Sequence, residues 1–115
     1  MPGITAIPVL RVADFKVAVP YYRDVLGFTV GFQYDDYATL QLDKAVLHLS
    51  VPKPGKPAGG GTVYLIRDEV DGYFGNIRAR GAAPDTEPAD QFYGMREFVV
   101  CDPDGNRLLF GCNIE

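Results

Sequence analysis

Along this chain the apolar residues switch between two spacings, and the switches mark its elements. From Phe15 they recur every three or four positions (Phe15, Ala18, Val19, Tyr22, Val25, Leu26), the stripe of an amphipathic helix, with Gly27 as its stop. Val70, Tyr73, Phe74 and Ile77 repeat the stripe, and Gly81 repeats the stop. The other apolar runs read as strands over residues 4–12, 28–34, 37–42, 45–51, 62–67, 93–101 and 107–111. Two prolines modify this pattern. Pro8 cannot donate to a ladder, so the first strand is expected to lie at an edge or meet a bulge there. Pro20 costs about 3 kcal/mol inside a helix, so the regular helix is expected to begin near Val17, leaving Pro20 in its first turn.

Turn chemistry fixes the pairing. Asp102-Pro103-Asp104-Gly105-Asn106 joins the last two strands: Pro103 presets φ, the Asp102 side chain caps the turn, and Gly105 takes the left-handed position. Both flanks are apolar on both faces, which predicts a central pair packed on each side. The shorter Asp43-Lys44 turn sets Leu42 against Ala45, Leu40 against Leu47, Thr39 against His48, Ala38 against Leu49 and Tyr37 against Ser50. That register separates two chemistries. Ala38, Leu40, Leu42, Leu47, Leu49 and Val51 form an oily face for the helix, while Tyr37, Thr39, Gln41, Val46, His48 and Ser50 form a polar and aromatic face suited to a ligand cleft.

The elements repeat. Asp14 precedes Gly27 by thirteen positions and Asp68 precedes Gly81 by thirteen, each pair following a strand and enclosing a helix. The chain is read as an α+β fold of two βαβββ modules in a single domain, residues 4–51 and 62–112. Residues 52–61, rich in proline and glycine, form a mobile connector. Residues 82–92 leave room for only a short or irregular strand in the second module.

Composition narrows the function. There are 115 residues, nearly half of them hydrophobic, so one core can be buried. The basic residues are scattered and the formal charge is −4, which leaves no footprint for nucleic acid. No run is long and apolar enough to cross a bilayer, and residues 1–5 lack the pattern of an export signal, so a cytoplasmic protein is expected. With the hairpin in register, Cys101 and Cys112 lie roughly 13–17 Å apart along the sheet at about 3.3 Å per residue, too far for a disulfide. The single histidine, His48, has only Ser50 near it among nucleophiles, which argues against nucleophilic catalysis.

Three stretches carry a resemblance: Ile7-Pro8-Val9-Leu10-Arg11-Val12-Ala13-Asp14, then Tyr21-Tyr22-Arg23-Asp24-Val25-Leu26-Gly27-Phe28, then Tyr93-Gly94-Met95-Arg96-Glu97-Phe98 leading to Asp102-Pro103-Asp104-Gly105-Asn106. With the doubled module, they make the chain similar to the vicinal oxygen chelate superfamily of glyoxalases, extradiol dioxygenases, and fosfomycin and bleomycin resistance proteins. The superfamily's enzymes place metal ligands on the first and last strand of each module. By the resemblance those positions here hold Ile7, His48, Thr62 and Leu109, and three of the four cannot bind a divalent cation.

The resemblance is therefore closest to the metal-free bleomycin resistance proteins, whose first-strand proline and 94–98 stretch also match. It implies a homodimer with exchanged first strands, no catalysis, no metal or other cofactor, and a cationic planar drug held in clefts between subunits. The ligand-binding residues it suggests are Phe32, Asp35, Tyr37, Thr39, His48, Ser50, Tyr64, Phe92 and Tyr93, with Asp36 beside Asp35 at the cleft rim. Asp35 and Asp36 are also ordinary turn formers. Because the chain has no tryptophan, stacking falls to phenylalanine and tyrosine. Arg96 and Glu97 alternate on their strand, so only one of them can enter the cleft. The alternatives are a metal-dependent glyoxalase-like or dioxygenase-like enzyme, and a binder of some other small planar metabolite or antibiotic.

Overall fold

A computed structural model describes residues 3–114. It contains two four-stranded mixed sheets of identical topology. The first comprises β1 (Val9–Arg11), β2 (Thr29–Gln33), β3 (Tyr37–Leu42) and β4 (Ala45–Ser50) in the order β1-β4-β3-β2. The second comprises β5 (Thr62–Ile66), β6 (Ala89–Asp90), β7 (Met95–Cys101) and β8 (Arg107–Asn113) in the order β5-β8-β7-β6. In each sheet the first strand pairs in parallel with the last, and the other pairs are antiparallel. The repeat read from the two aspartate and glycine pairs is thus a repeat of fold. The β3–β4 register is the one the Asp43-Lys44 turn predicts, from Tyr37 opposite Ser50 to Leu42 opposite Ala45. β7 and β8 are the central strands of their sheet, and Cys101 and Cys112 are both free thiols.

The first helix corrects the expectation drawn from Pro20. α1 (Phe15–Pro20) begins two residues earlier than Val17 because Asp14 is a working N-cap: its backbone is extended and its carboxylate accepts from the Lys16 N–H at 2.9 Å. Pro20 ends the α-helix, and the chain then widens into one π-helical turn over Tyr21–Val25, with the Leu26 N–H reaching the Tyr21 carbonyl at 3.1 Å. Burial of Phe15, Ala18, Val19 and Tyr22, together with the cap, offsets the hydrogen bond that proline lacks. Gly27, at φ +90°, closes the end, and the Phe28 N–H bonds the Tyr22 carbonyl at 2.8 Å. The second helix, α2 (Asp71–Ala79), is capped by Glu69, whose carboxylate accepts from the Gly72 N–H at 2.7 Å.

The first strand is also shorter than read. Pro8 donates nothing, although its carbonyl accepts from the His48 N–H at 3.0 Å, and strand pairing begins only at Val9. Leu10 and Val12 enter the core, but Ile4 is fully exposed at 101% and Ile7 and Val9 are exposed over two-fifths to a half of their surface, so only one face of this run is buried within the chain. The glycine end of the connector is tied down as well. The Gly59 N–H donates to the Arg11 carbonyl and the Gly61 N–H to Asn106 Oδ1, both at 2.9 Å. A side chain at Gly59 would run into the Asp104 backbone, so this glycine serves close approach and not slack.

One joint locks the two modules together. Asp102 Oδ1 accepts from the Asp104 and Asn106 N–H groups, both at 2.9 Å, and Oδ2 accepts from the Tyr22 hydroxyl at 2.7 Å and Asn106 Nδ2 at 2.8 Å. Asn106 Nδ2 also reaches the Arg11 carbonyl at 2.8 Å. Burial, and then Asp102, push the Tyr22 hydroxyl well above the usual phenol range, so it stays a donor. Gly105 stands at φ +89° with open space around its Cβ position. Gly105→Val is therefore expected to cost about 1–3 kcal/mol from backbone strain alone. A midpoint unchanged in urea would count against it.

Candidate ligand-binding faces

Each sheet turns one face to a helix and the other away, and the sequence-predicted site residues gather on the faces turned away. On the first sheet, Tyr37 on β3 leans diagonally over β4. Its hydroxyl shares a 2.7 Å hydrogen bond with His48 Nδ1, the rings meeting edge to face at 5.2 Å. Thr39 pairs with His48 across the strands, and its hydroxyl accepts from the Phe32 N–H at 2.9 Å beside a bulge in β2. Gly31 leaves the space which that hydroxyl occupies. Ser50 lies opposite Tyr37 and beside Arg11, while Phe32 and Asp35 are exposed at the rim.

The second sheet builds a different group. Glu97 on β7 is only 9% exposed, and its two carboxylate oxygens accept from the hydroxyls of Tyr64 at 2.8 Å and Tyr93 at 2.6 Å. Tyr64 stands on β5, two strands from Glu97, with β8 between them. It reaches across because Gly111, paired with Glu97, carries no side chain: a Cβ there would strike the Tyr64 hydroxyl. Desolvation, and then the bond to Glu97, push the Tyr64 hydroxyl up to about 12. Tyr93 is raised chiefly by its bond to the same carboxylate. Phe92, 99% exposed, meets Tyr93 edge to face at 5.1 Å. Arg96 and Glu97 lie on opposite faces of β7: Arg96 turns toward Asp71 at 2.9 Å and Asp90 at 3.0 Å, and Glu97 toward the two tyrosines.

The structure thus brings together Tyr37, Thr39, His48 and Ser50 on one sheet, and Tyr64 and Tyr93 on the other. Among the described residues no hydrogen bond or ring contact joins the two groups. Sequence reasoning did not place Glu97 at the centre of the second group. The available signal was Gly111, a glycine inside an otherwise apolar central strand, which marks a close approach. The residues at the family's metal positions do not fit a metal. Ile7 and Leu109 offer no donor atom and Thr62 only a hydroxyl, and among the described residues no three His, Cys, Asp or Glu side chains cluster.

Comparison with known proteins agrees with this architecture. Residues 5–110 match the model of the Glyoxalase/Bleomycin resistance protein/Dioxygenase superfamily. The bleomycin resistance protein of Geobacillus stearothermophilus is 29% identical over 125 aligned positions, covering 93% of this chain and 95% of that protein. A superfamily member from Sphaerobacter thermophilus superposes with a TM-score of 0.82 at 21% identity, covering 97% of this chain and 98% of that one. A lactoylglutathione lyase from Agrobacterium tumefaciens superposes with a TM-score of 0.78 at 20% identity, covering 97% of this chain and 95% of that one. The chain belongs to the glyoxalase, bleomycin resistance protein and dioxygenase superfamily.

Proposed function

We propose that the chain is a bleomycin-type antibiotic-binding protein of the cytoplasm that confers resistance by sequestering drug stoichiometrically, without catalysis or cofactor. It acts as a homodimer with exchanged first strands, and each cleft combines the first-sheet face of one subunit with the second-sheet face of the other. The observation that carries this reading is the pair of polar, aromatic faces left open on separate sheets of one chain. Each is half of a site. The exposed Ile4, Ile7 and Val9 supply apolar surface for a second copy to cover, and the relative in Geobacillus supports the ligand class. The same donor set counts against the metal-enzyme alternative, because the four strand positions hold one imidazole.

Calorimetric titration with metal-free bleomycin tests the proposal. Saturation at one drug per subunit with submicromolar affinity is the expected result, and no heat up to high micromolar drug would reject this ligand while leaving the fold intact. Tyr37→Ala and Tyr93→Ala are each expected to weaken binding by about 1–3 kcal/mol through lost stacking. Unchanged affinity in both would remove these rings from the site.

A further inference from the structure

We propose that Glu97 sets ligand specificity on the second sheet, and that it takes a cationic group, ammonium, amidinium, guanidinium or sulfonium, carried beside flat unsaturated surface. This rests on the ligand-binding reading above and deepens it. The carboxylates that form ion pairs in the structure, Asp24, Asp43, Glu69, Asp71 and Asp90, are all well exposed and meet arginines. Glu97 reverses both features. It is buried, and among the described residues no lysine, arginine or histidine pairs with it.

Two tyrosines hold it instead. Phenol donors to a carboxylate make short, strong bonds, and these are 2.8 and 2.6 Å, but they bring no countercharge. Both hydroxyls are raised, so each remains a neutral donor at physiological pH. A negative charge taken from water without a positive partner is costly, and it is offset when a cation arrives. The surroundings suit such a cation. Tyr64 and Tyr93 remain 40% and 53% exposed, so a cation meeting Glu97 also meets aromatic rings. Gly111 gives the Tyr64 ring its place over β8, which holds the carboxylate fixed before any ligand binds. Asp35 and Asp36, the carboxylates the sequence offers first, stand exposed on a turn, where water screens a charge pair.

The test uses the full chain, wild type and Glu97→Gln, which preserves size: the amide oxygen still accepts from one tyrosine, and the amide nitrogen donates to the hydroxyl oxygen of the other, which turns its own proton away. Calorimetry compares metal-free bleomycin with bleomycinic acid, which lacks the terminal cation. NMR separately follows the Tyr64 and Tyr93 ring signals on adding benzamidine or its neutral analogue benzamide. In wild type, bleomycin is expected to bind more tightly than bleomycinic acid. Glu97→Gln should weaken bleomycin by at least about tenfold and erase that difference, as loss of a desolvated charge contact does. Benzamidine should shift both rings in wild type and neither in the variant, with benzamide silent throughout.

Equal bleomycin affinity in a folded Glu97→Gln protein would overturn the inference while leaving drug sequestration standing. Benzamidine and benzamide acting alike on wild type would overturn it without recourse to any variant. If bleomycin gives no heat but benzamidine shifts the rings through Glu97, the drug reading fails and the cation reading holds. A Glu97→Gln protein that dissociates into monomers yet still binds bleomycin would assign Glu97 to a cation of the second subunit, and would also overturn it.

Discussion

Asp102→Ala is expected to destabilise the protein by about 3–5 kcal/mol, because it strands several buried donors at once. The Tyr22 hydroxyl, the Asn106 amide and two backbone N–H groups all end on this carboxylate, and Asn106 and Tyr22 have no solvent exposure to fall back on. Asp102→Asn separates hydrogen bonding from charge. Its oxygen still accepts, but its amide opposes the donors of Tyr22 or Asn106, so an intermediate loss is expected. Urea unfolding of the three proteins measures the order. An alanine variant within about 1 kcal/mol of wild type would mean that water takes over the carboxylate's hydrogen bonds.

Phe98→Ala should cost a similar amount for a different reason. Phe98 is wholly buried on the helix side of β7, stacked on Phe110 at 5.4 Å with 19° between planes and met edge-on by Phe74 at 5.1 Å. Truncation removes a large apolar surface and leaves a cavity walled by rings that cannot collapse, for about 3–5 kcal/mol. Phe74→Ala is the internal comparison. Its ring is only partly buried and lies beneath the Arg78 guanidinium at 5.4 Å, so its loss should be clearly smaller. Equal losses at the two positions would contradict the placement of the core beneath β7 and β8.

What could be read from the sequence was what short range decides. The two-residue turn at Asp43-Lys44 admits one register, and alternation then assigns every side chain of β3 and β4 to a face. Gly27 and Gly81 stop their helices, and Gly105 shapes the last turn, because the backbone there needs positive φ. Three features lay outside that range. The penalty of Pro20 was weighed without the Asp14 cap or the π turn that absorbs the widened register. The first strand reads as running from Ile4, but its pairing begins only at Val9, and Ile4 has none of its own chain over it. The grouping of Tyr64 with Glu97 depends on a side chain crossing an intervening strand, and no periodicity encodes that. It is written only in the absence of a side chain at Gly111.

The joint at Asp102 also bears on how the chain comes to be folded. Its contacts close very long loops: Tyr22 to Asp102 spans 80 positions, Ala13 to Asp104 spans 91, and Arg11 to Asn106 spans 95. Closing such loops is entropically expensive and rewarded only at the end, which places these bonds late in folding. During synthesis the first helix emerges long before the last turn, so the Tyr22 hydroxyl waits in water until that turn has left the ribosome, whereas the Arg11 carbonyl meets the Gly59 N–H first.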